Sequence, residues 1–196
     1  MTLGHPLIAL ASKSPQRRAI LEAIGAPFRV IDVEVEELES GEPEQVARDN
    51  AQRKALAGAA KARAGEAVLG VDTVVALDGA IWGKPGDEAA AAQTLRALSG
   101  RTHEVVSAVA IVRDGGAAEL ATEITRVTFH ELDAACVDWY LASGEWRGRA
   151  GGYAIQGRGG VLVRRIEGDY LNVVGLPLGT LAGLFGGFAA FLAEGT

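Results

Sequence analysis

The chain has 196 residues, 48% of them apolar, enough to build a core within one domain or one two-lobed domain. A formal charge of −6 excludes a protein that lives on a nucleic-acid backbone, which needs a broad basic face, so anion-binding arginines would have to be gathered in a pocket. The single cysteine, Cys136, excludes a disulfide framework within the chain and suits a reducing cytoplasm.

Residues 1–11 are apolar but lack a basic leader and a cleavage site, so they read as part of the fold rather than a signal peptide. Residues 6–12 (PLIALAS) predict a short buried strand. Ser14-Pro15 then starts a helix, because serine caps and proline suits the first turn, and Gly25 stops it. Residues 28–38 (FRVIDVEVEEL) predict a strand running into acid, and residues 43–65 a long alanine-rich helix. Residues 67–85 predict a strand, an Asp-Gly turn at 78–79 and a returning strand. A helix over 87–100 has acids in its first turn and a glycine stop. A long hairpin over 102–129 turns at Asp114-Gly115-Gly116, and a helix follows over 133–144. Residues 153–175 read as strand. The most apolar stretch, 176–193, is short for a membrane span and carries three central glycines, so it predicts a buried or interfacial helix. No repeat or low-complexity linker divides the chain, which predicts one domain over 1–196. Strands alternating with helices and hairpins give a mixed α/β class.

Where the first predicted strand gives way to a helix, free backbone N–H groups and the helix dipole favour an anion. Ser12 and Ser14 add hydroxyl donors there, and Arg17 and Arg18 add forked donors that match phosphate oxygens. The plainer alternative is that Ser14 only caps the helix while both arginines face water. Asp72 interrupts a strongly apolar strand, and a buried carboxylate is costly unless paired or metal-bound. Strand alternation puts Asp72 on the face opposite Val71 and Thr73. It is either a water-facing residue of a surface strand, or a carboxylate over a pocket that holds Mg²⁺ or takes a proton from water. Lys84, between Gly83 and Pro85, is a point charge for phosphate or a solvated loop lysine. Glu34, Glu36 and Glu37 offer a second carboxylate, or simply form a solvated edge. The glycines of 150–160 are no Walker loop, since no Gly-Lys-Ser/Thr follows. His5, His103 and His130 show no metal-ligand spacing, and Cys136 reads as core packing. What survives is an anionic substrate, carboxylates and a hard metal, which suits phosphoanhydride cleavage.

Taken together, eight segments resemble in order and spacing the Maf family of nucleoside triphosphate pyrophosphatases, over nearly the whole chain. They are LASKSPQRR (10–18), VEE (35–37), RKA (53–55), GVDTVV (70–75), GKP (83–85), LSGRTHEV (98–105), AGGYAIQG (150–157) and GDYLNVVGLPL (168–178). The resemblance implies an elongated α/β fold similar to that of inosine triphosphate pyrophosphatases, with a mixed twisted sheet, flanking helices and a cleft between two lobes, often dimeric. It implies hydrolysis of non-standard or pyrimidine nucleoside triphosphates to the monophosphate and pyrophosphate with a divalent cation, Mg²⁺ or Mn²⁺. It further implies that Asp72 is the general base or metal-binding carboxylate and Glu37 the second acid, while Ser12, Ser14, Arg17, Lys54 and Lys84 line the triphosphate site. Arg17 is the better candidate than Arg18 for the phosphate. Thr73 and Gln156 match positions that separate substrate subclasses, and both favour dTTP/UTP. Gln16 departs from the arginine usual at a third such position; its amide can still hydrogen-bond a uracil edge but brings no charge. No nucleic acid or membrane partner is implied, and a homodimer is left open. Two other readings use the same residues: a nucleotide-sensing regulator of cell division without turnover, and a phosphatase of small metabolites.

Overall fold

The computed structural model describes residues 8–193; the first residues of the predicted 6–12 strand, and His5, lie outside them. Fourteen regular elements follow in chain order among these residues: β1 (Ile8–Leu10), α1 (Pro15–Ala23), β2 (Phe28–Val30), α2 (Pro43–Ala59), β3 (Ala67–Leu77), β4 (Ala80–Trp82), α3 (Glu88–Leu98), β5 (Thr102–Arg113), β6 (Glu119–Phe129), α4 (Ala134–Ala142), β7 (Val163–Glu167), α5 (Tyr170–Val174), α6 (Leu178–Leu184) and α7 (Phe188–Ala193). They make a mixed α/β fold around a seven-stranded sheet of order β2-β1-β3-β5-β6-β7, with β4 folded back on β3. β1 runs parallel to both β2 and β3, and the remaining pairs are antiparallel.

β3 is buried on both faces, which explains its near-continuous apolar sequence. Its even-numbered side chains, Val68 and Val74, pack with Val46, Ala47, Ala51 and Ala55 of α2. Its odd-numbered Leu69 and Val71 pack on the opposite face with Ile20 and Leu21 of α1 and with Leu176 and Leu181 near the C-terminus. A third apolar cluster lies toward α3 and α4, around Leu95, Phe129, Tyr140 and Leu162. The Asp-Gly turn between β3 and β4 has both residues at positive φ (Asp78 52°, Gly79 77°), as a two-residue hairpin requires.

Several predicted elements are shorter or broken. The 28–38 strand keeps only Phe28–Val30, because its partner β1 ends at Leu10 and offers nothing further to pair with. The 43–65 helix stops at Ala59, where Lys61 turns away to donate to the Asp32 carbonyl at 2.6 Å. The 153–175 stretch divides into a 3-10 turn, β7 and α5; Gly168 at φ 128° breaks the strand and Asp169 caps the helix. The apolar C-terminal helix is two, α6 and α7, parted by Gly186 and Gly187 at φ 85° and 111°. Among the described residues no helix is long and apolar enough to cross a membrane.

Candidate active site

The end of β1 at Leu10 creates the site. Beyond the Leu10–Leu69 pair, β3 loses its parallel neighbour, so its edge backbone groups need other partners. The chains leaving β1 and β2 also go to opposite faces, one into α1 and the other toward α2. A crevice beyond the carboxyl ends of such strands is where α/β sheets place ligands. Here it is a cavity of about 560 Å³, of a size that takes a nucleotide. Of the residues singled out in the sequence, Ser12, Ser14, Gln16, Arg17, Glu34, Glu37, Lys54, Asp72, Thr73, Lys84 and Gln156 line it, whereas Arg18 and Glu36 do not.

Arg17 does not sit there as an open phosphate fork. It is buried, and its Nε donates to the Gly175 carbonyl at 2.9 Å. One terminal nitrogen donates to Ser12 Oγ and to the Val71 carbonyl, both at 2.9 Å, and the other to Thr73 Oγ1 at 3.1 Å. The guanidinium therefore ties α1, β3 and the segment after α5 together, and satisfies the bare edge of β3. Burial lowers its pKa, against the smaller opposing pull of Asp72 and Glu37, but a guanidinium is basic enough to keep its proton in a protein, so positive charge stays in the cavity floor. Ser14 is the N-cap of α1, and its hydroxyl also donates to Gln16 Oε1 at 3.1 Å. Thr73 shares a further hydrogen bond with Ser107 at 2.9 Å. Gln156 is exposed at the rim.

The acids and Lys54 form one array. Lys54 Nζ lies 2.6 Å from Asp72 Oδ1 and 2.8 Å from Glu37 Oε1, with the Val71 carbonyl at 3.4 Å. Lys54 and Asp72 are both buried, whereas the Glu37 side chain is 40% exposed. Such a pair adds little net stability, since desolvation offsets the attraction, but losing one member strands a buried charge. Its value is placement: two carboxylates face one cavity, held by a single ammonium.

Asn50 and Arg149 escaped the sequence reading. Asn50 is buried and uses its whole amide. It accepts from the Leu38 N–H at 2.8 Å, donates to the Leu38 carbonyl at 2.9 Å, and donates to Asp72 Oδ2 at 3.2 Å. It thereby pins the acidic segment that carries Glu37 to the strand that carries Asp72. Its signal was available, because Asn50 and Lys54 are four apart on α2 and share a face. Arg149 lines the cavity one residue before the glycine-rich 150–157 segment, where an arginine among glycines gives little pattern.

Among the described residues no three His, Cys, Asp or Glu side chains gather as a metal cage. Asp72 and Glu37 nevertheless suit a Mg²⁺-type cation, which commonly takes one or two carboxylates and completes its shell with water and substrate phosphates. The donor set fits a cation shared with a bound polyphosphate rather than one held by protein alone.

A family model described as Maf-like protein matches residues 7–188. A nucleoside triphosphate pyrophosphatase from Xylella fastidiosa (strain M23) is 46% identical over 188 residues, covering 93% of this chain and 98% of that protein. A dTTP/UTP pyrophosphatase from Nitratidesulfovibrio vulgaris is 46% identical over 186 residues, covering 93% and 88%. Another dTTP/UTP pyrophosphatase, from Pyrococcus furiosus, is 43% identical over 175 residues, covering 87% and 90%.

Proposed function

The chain belongs to the Maf family, and on that premise we propose that it is a nucleoside triphosphate pyrophosphatase that prefers dTTP and UTP. It is a hydrolase of phosphoanhydride bonds, as its relatives' names describe. The observation that carries the reading is the Asp72–Lys54–Glu37 array inside a nucleotide-sized cavity. The relatives named dTTP/UTP pyrophosphatase, with Thr73 and Gln156 on the cavity wall, support the pyrimidine preference. A cytoplasmic location accords with the lone cysteine, and a homodimer accords with the family resemblance.

In the proposed reaction a water oxygen bonds to the α-phosphorus in line with the departing group. The bond from that phosphorus to the bridging oxygen breaks, and its electron pair leaves with pyrophosphate. Asp72 orients the water and accepts its proton. Lys54 holds Asp72 and Glu37 in register, and Arg17 contributes buried positive charge below them. Lys84 supplies charge to the phosphates from the rim. Asp72 and Glu37 are the residues that would hold a divalent cation, which when bound neutralises phosphate charge.

The test is a panel of dTTP, UTP, CTP, dATP, GTP and 7-methyl-GTP with Mg²⁺, each assayed separately for pyrophosphate and orthophosphate, beside Asp72→Asn. Pyrophosphate release strongest with dTTP and UTP, and reduced at least about a hundredfold in kcat by the variant, is expected. Orthophosphate alone would indicate a metabolite phosphatase. Binding without release, unaffected by the variant, would indicate a nucleotide sensor.

A further inference from the structure

Five cations line the cavity, and three are spent. Lys13 pairs with Asp32 at 2.8 Å. Lys54 holds Asp72 and Glu37, and Arg17 is tied to protein acceptors. Lys84 and Arg149 remain, with no ion pair or side-chain hydrogen bond among the described residues. Arg149 is the odder of the two, because its Nε is buried and has no partner. Buried donors are nearly always satisfied, so a guanidinium in this state lacks an acceptor that belongs there.

The fold brings together the chain segments that carry these two cations. Gly151 and Gly152 both adopt φ of 66°, which folds the chain after Arg149 into a tight turn. The Gly151 N–H donates to the Gly83 carbonyl at 3.2 Å, and a Cβ on Gly152 would lie 3.2 Å from Pro85 Cγ. The backbone following Arg149 is thus laid against the backbone flanking Lys84. The same turn packs on Val75, as a Cβ on Gly151 would meet Val75 Cγ2 at 2.9 Å. Val75 is three residues along β3 from Asp72, or about 10 Å of strand. The two cations thus stand along the cavity from the acids rather than among them.

We propose that Arg149, together with Lys84, binds the pyrophosphate end of the substrate, with the Arg149 guanidinium forming the fork that receives the leaving group. The assignment rests on the pyrophosphatase reading of this cavity. A guanidinium suits the task because its donors are planar, match two phosphate oxygens at once and keep their charge when partly buried. Charge accumulates on the leaving oxygen as the anhydride opens, and an acceptor-free cation already in position stabilises it without rearrangement.

The test is calorimetric titration of the whole protein with magnesium pyrophosphate and, separately, with uridine monophosphate. Wild type is compared with Arg149→Ala, Arg149→Gln, which keeps much of the stem, and Arg149→Lys. Pyrophosphate affinity should fall by about tenfold or more in the Ala and Gln variants and recover in part with Lys, while the monophosphate changes by less than about twofold. Pyrophosphate binding within about twofold of wild type in Arg149→Gln would overturn the assignment. So would an equal loss for both ligands, or no pyrophosphate binding by wild type. Should pyrophosphate bind through Arg149 while no nucleoside triphosphate is hydrolysed, the proposed function fails and this site stands. Should triphosphate be hydrolysed normally but pyrophosphate ignore Arg149, the site fails alone.

Discussion

Replacing Gly70 with alanine should disable the site without touching any residue in it. Gly70 lies in the middle of β3 under α2, and its φ is ordinary, so it is a glycine for reasons of space. A Cβ there would sit 2.2 Å from the Ala51 carbonyl oxygen, 2.5 Å from the Ala55 nitrogen and 2.9 Å from Ala55 Cβ. These are backbone atoms of a helix, which cannot swing aside as a side-chain end can. Restoring a contact of about 3.5 Å obliges α2 to retreat by about 1 Å or more. Overpacking of this kind costs about 1–3 kcal/mol. The same helix carries Asn50 and Lys54, so their bonds to Asp72, now 3.2 and 2.6 Å, are stretched together. The first passes the limit of a hydrogen bond at about 3.5 Å. A displacement of about 1 Å at reacting groups is worth about a hundredfold in rate. Urea unfolding and pyrophosphate release should therefore fall together in Gly70→Ala. Gly58→Ala is the comparison: its Cβ would meet Val68 Cγ1 at 2.7 Å and Ala11 Cβ at 3.1 Å, side-chain atoms near the far end of α2. It should cost less stability and spare most of the activity. A Gly70→Ala protein with wild-type midpoint and turnover would refute this account of how α2 sets the site.

Asn50→Leu should destabilise the fold by about 2–4 kcal/mol, because it leaves both the N–H and the carbonyl of Leu38 unpaired, and hydrogen exchange should report an exposed Leu38 amide. His103 supplies a pH prediction. Its ring is buried beside Phe129, its Nε2 bonds Tyr153 Oη at 2.9 Å, and burial pushes its pKa down to about 4. The unfolded chain takes up this proton near its ordinary value of about 6.5, whereas the folded protein resists it until about 4. The stability that goes with the neutral ring is complete above the unfolded value and drains away as pH falls toward the folded one, by about 3 kcal/mol in all. Carboxylates also weaken the fold in acid, so the measurement is the difference in urea midpoint between wild type and His103→Gln from pH 7 to 4. Parallel curves for the two proteins would contradict the burial argument.

The sequence reading found the sheet through its apolar runs and turn dipeptides, and found part of the cavity through Asp72, Lys84 and the serine corner, while Lys54, Gln16 and Gln156 came only from the family resemblance. It erred where long-range pairing decides the outcome. Residues 28–38 have the composition of a strand, but a strand needs a partner, and β1 gives out at Leu10. Residues 176–193 have the composition of one helix, but Gly186 and Gly187 at positive φ end it early. At the site, residue type was more legible than residue state. Two adjacent arginines beside two serines announce an anion corner, yet Arg17 turns inward to satisfy the exposed edge of β3. Nothing local reveals that edge; it follows from Leu69 being the last residue of β3 that β1 can pair. Arg149 is the converse, an unremarked arginine whose open donors become visible only when the 149–152 turn is laid against Gly83.

These two arginines also divide the electrostatic work in a way that a list of charges would miss. Arg17 cannot follow a phosphate, since four hydrogen bonds fix it to Gly175, Ser12, Val71 and Thr73. A fixed cation in a poorly solvated floor lowers the potential of every anion above it and requires no reorganisation as charge moves during the reaction. Lys54, by contrast, is neutralised by Asp72 and Glu37, so its contribution is geometric. The cations without an ion pair or side-chain hydrogen bond among the described residues, Lys84 and Arg149, stand elsewhere along the cavity. A substrate with charge at only one phosphate would gain from the floor but not from that pair. The arrangement therefore favours a chain of phosphates over a monophosphate, and it does so through where the cations are free rather than through how many there are.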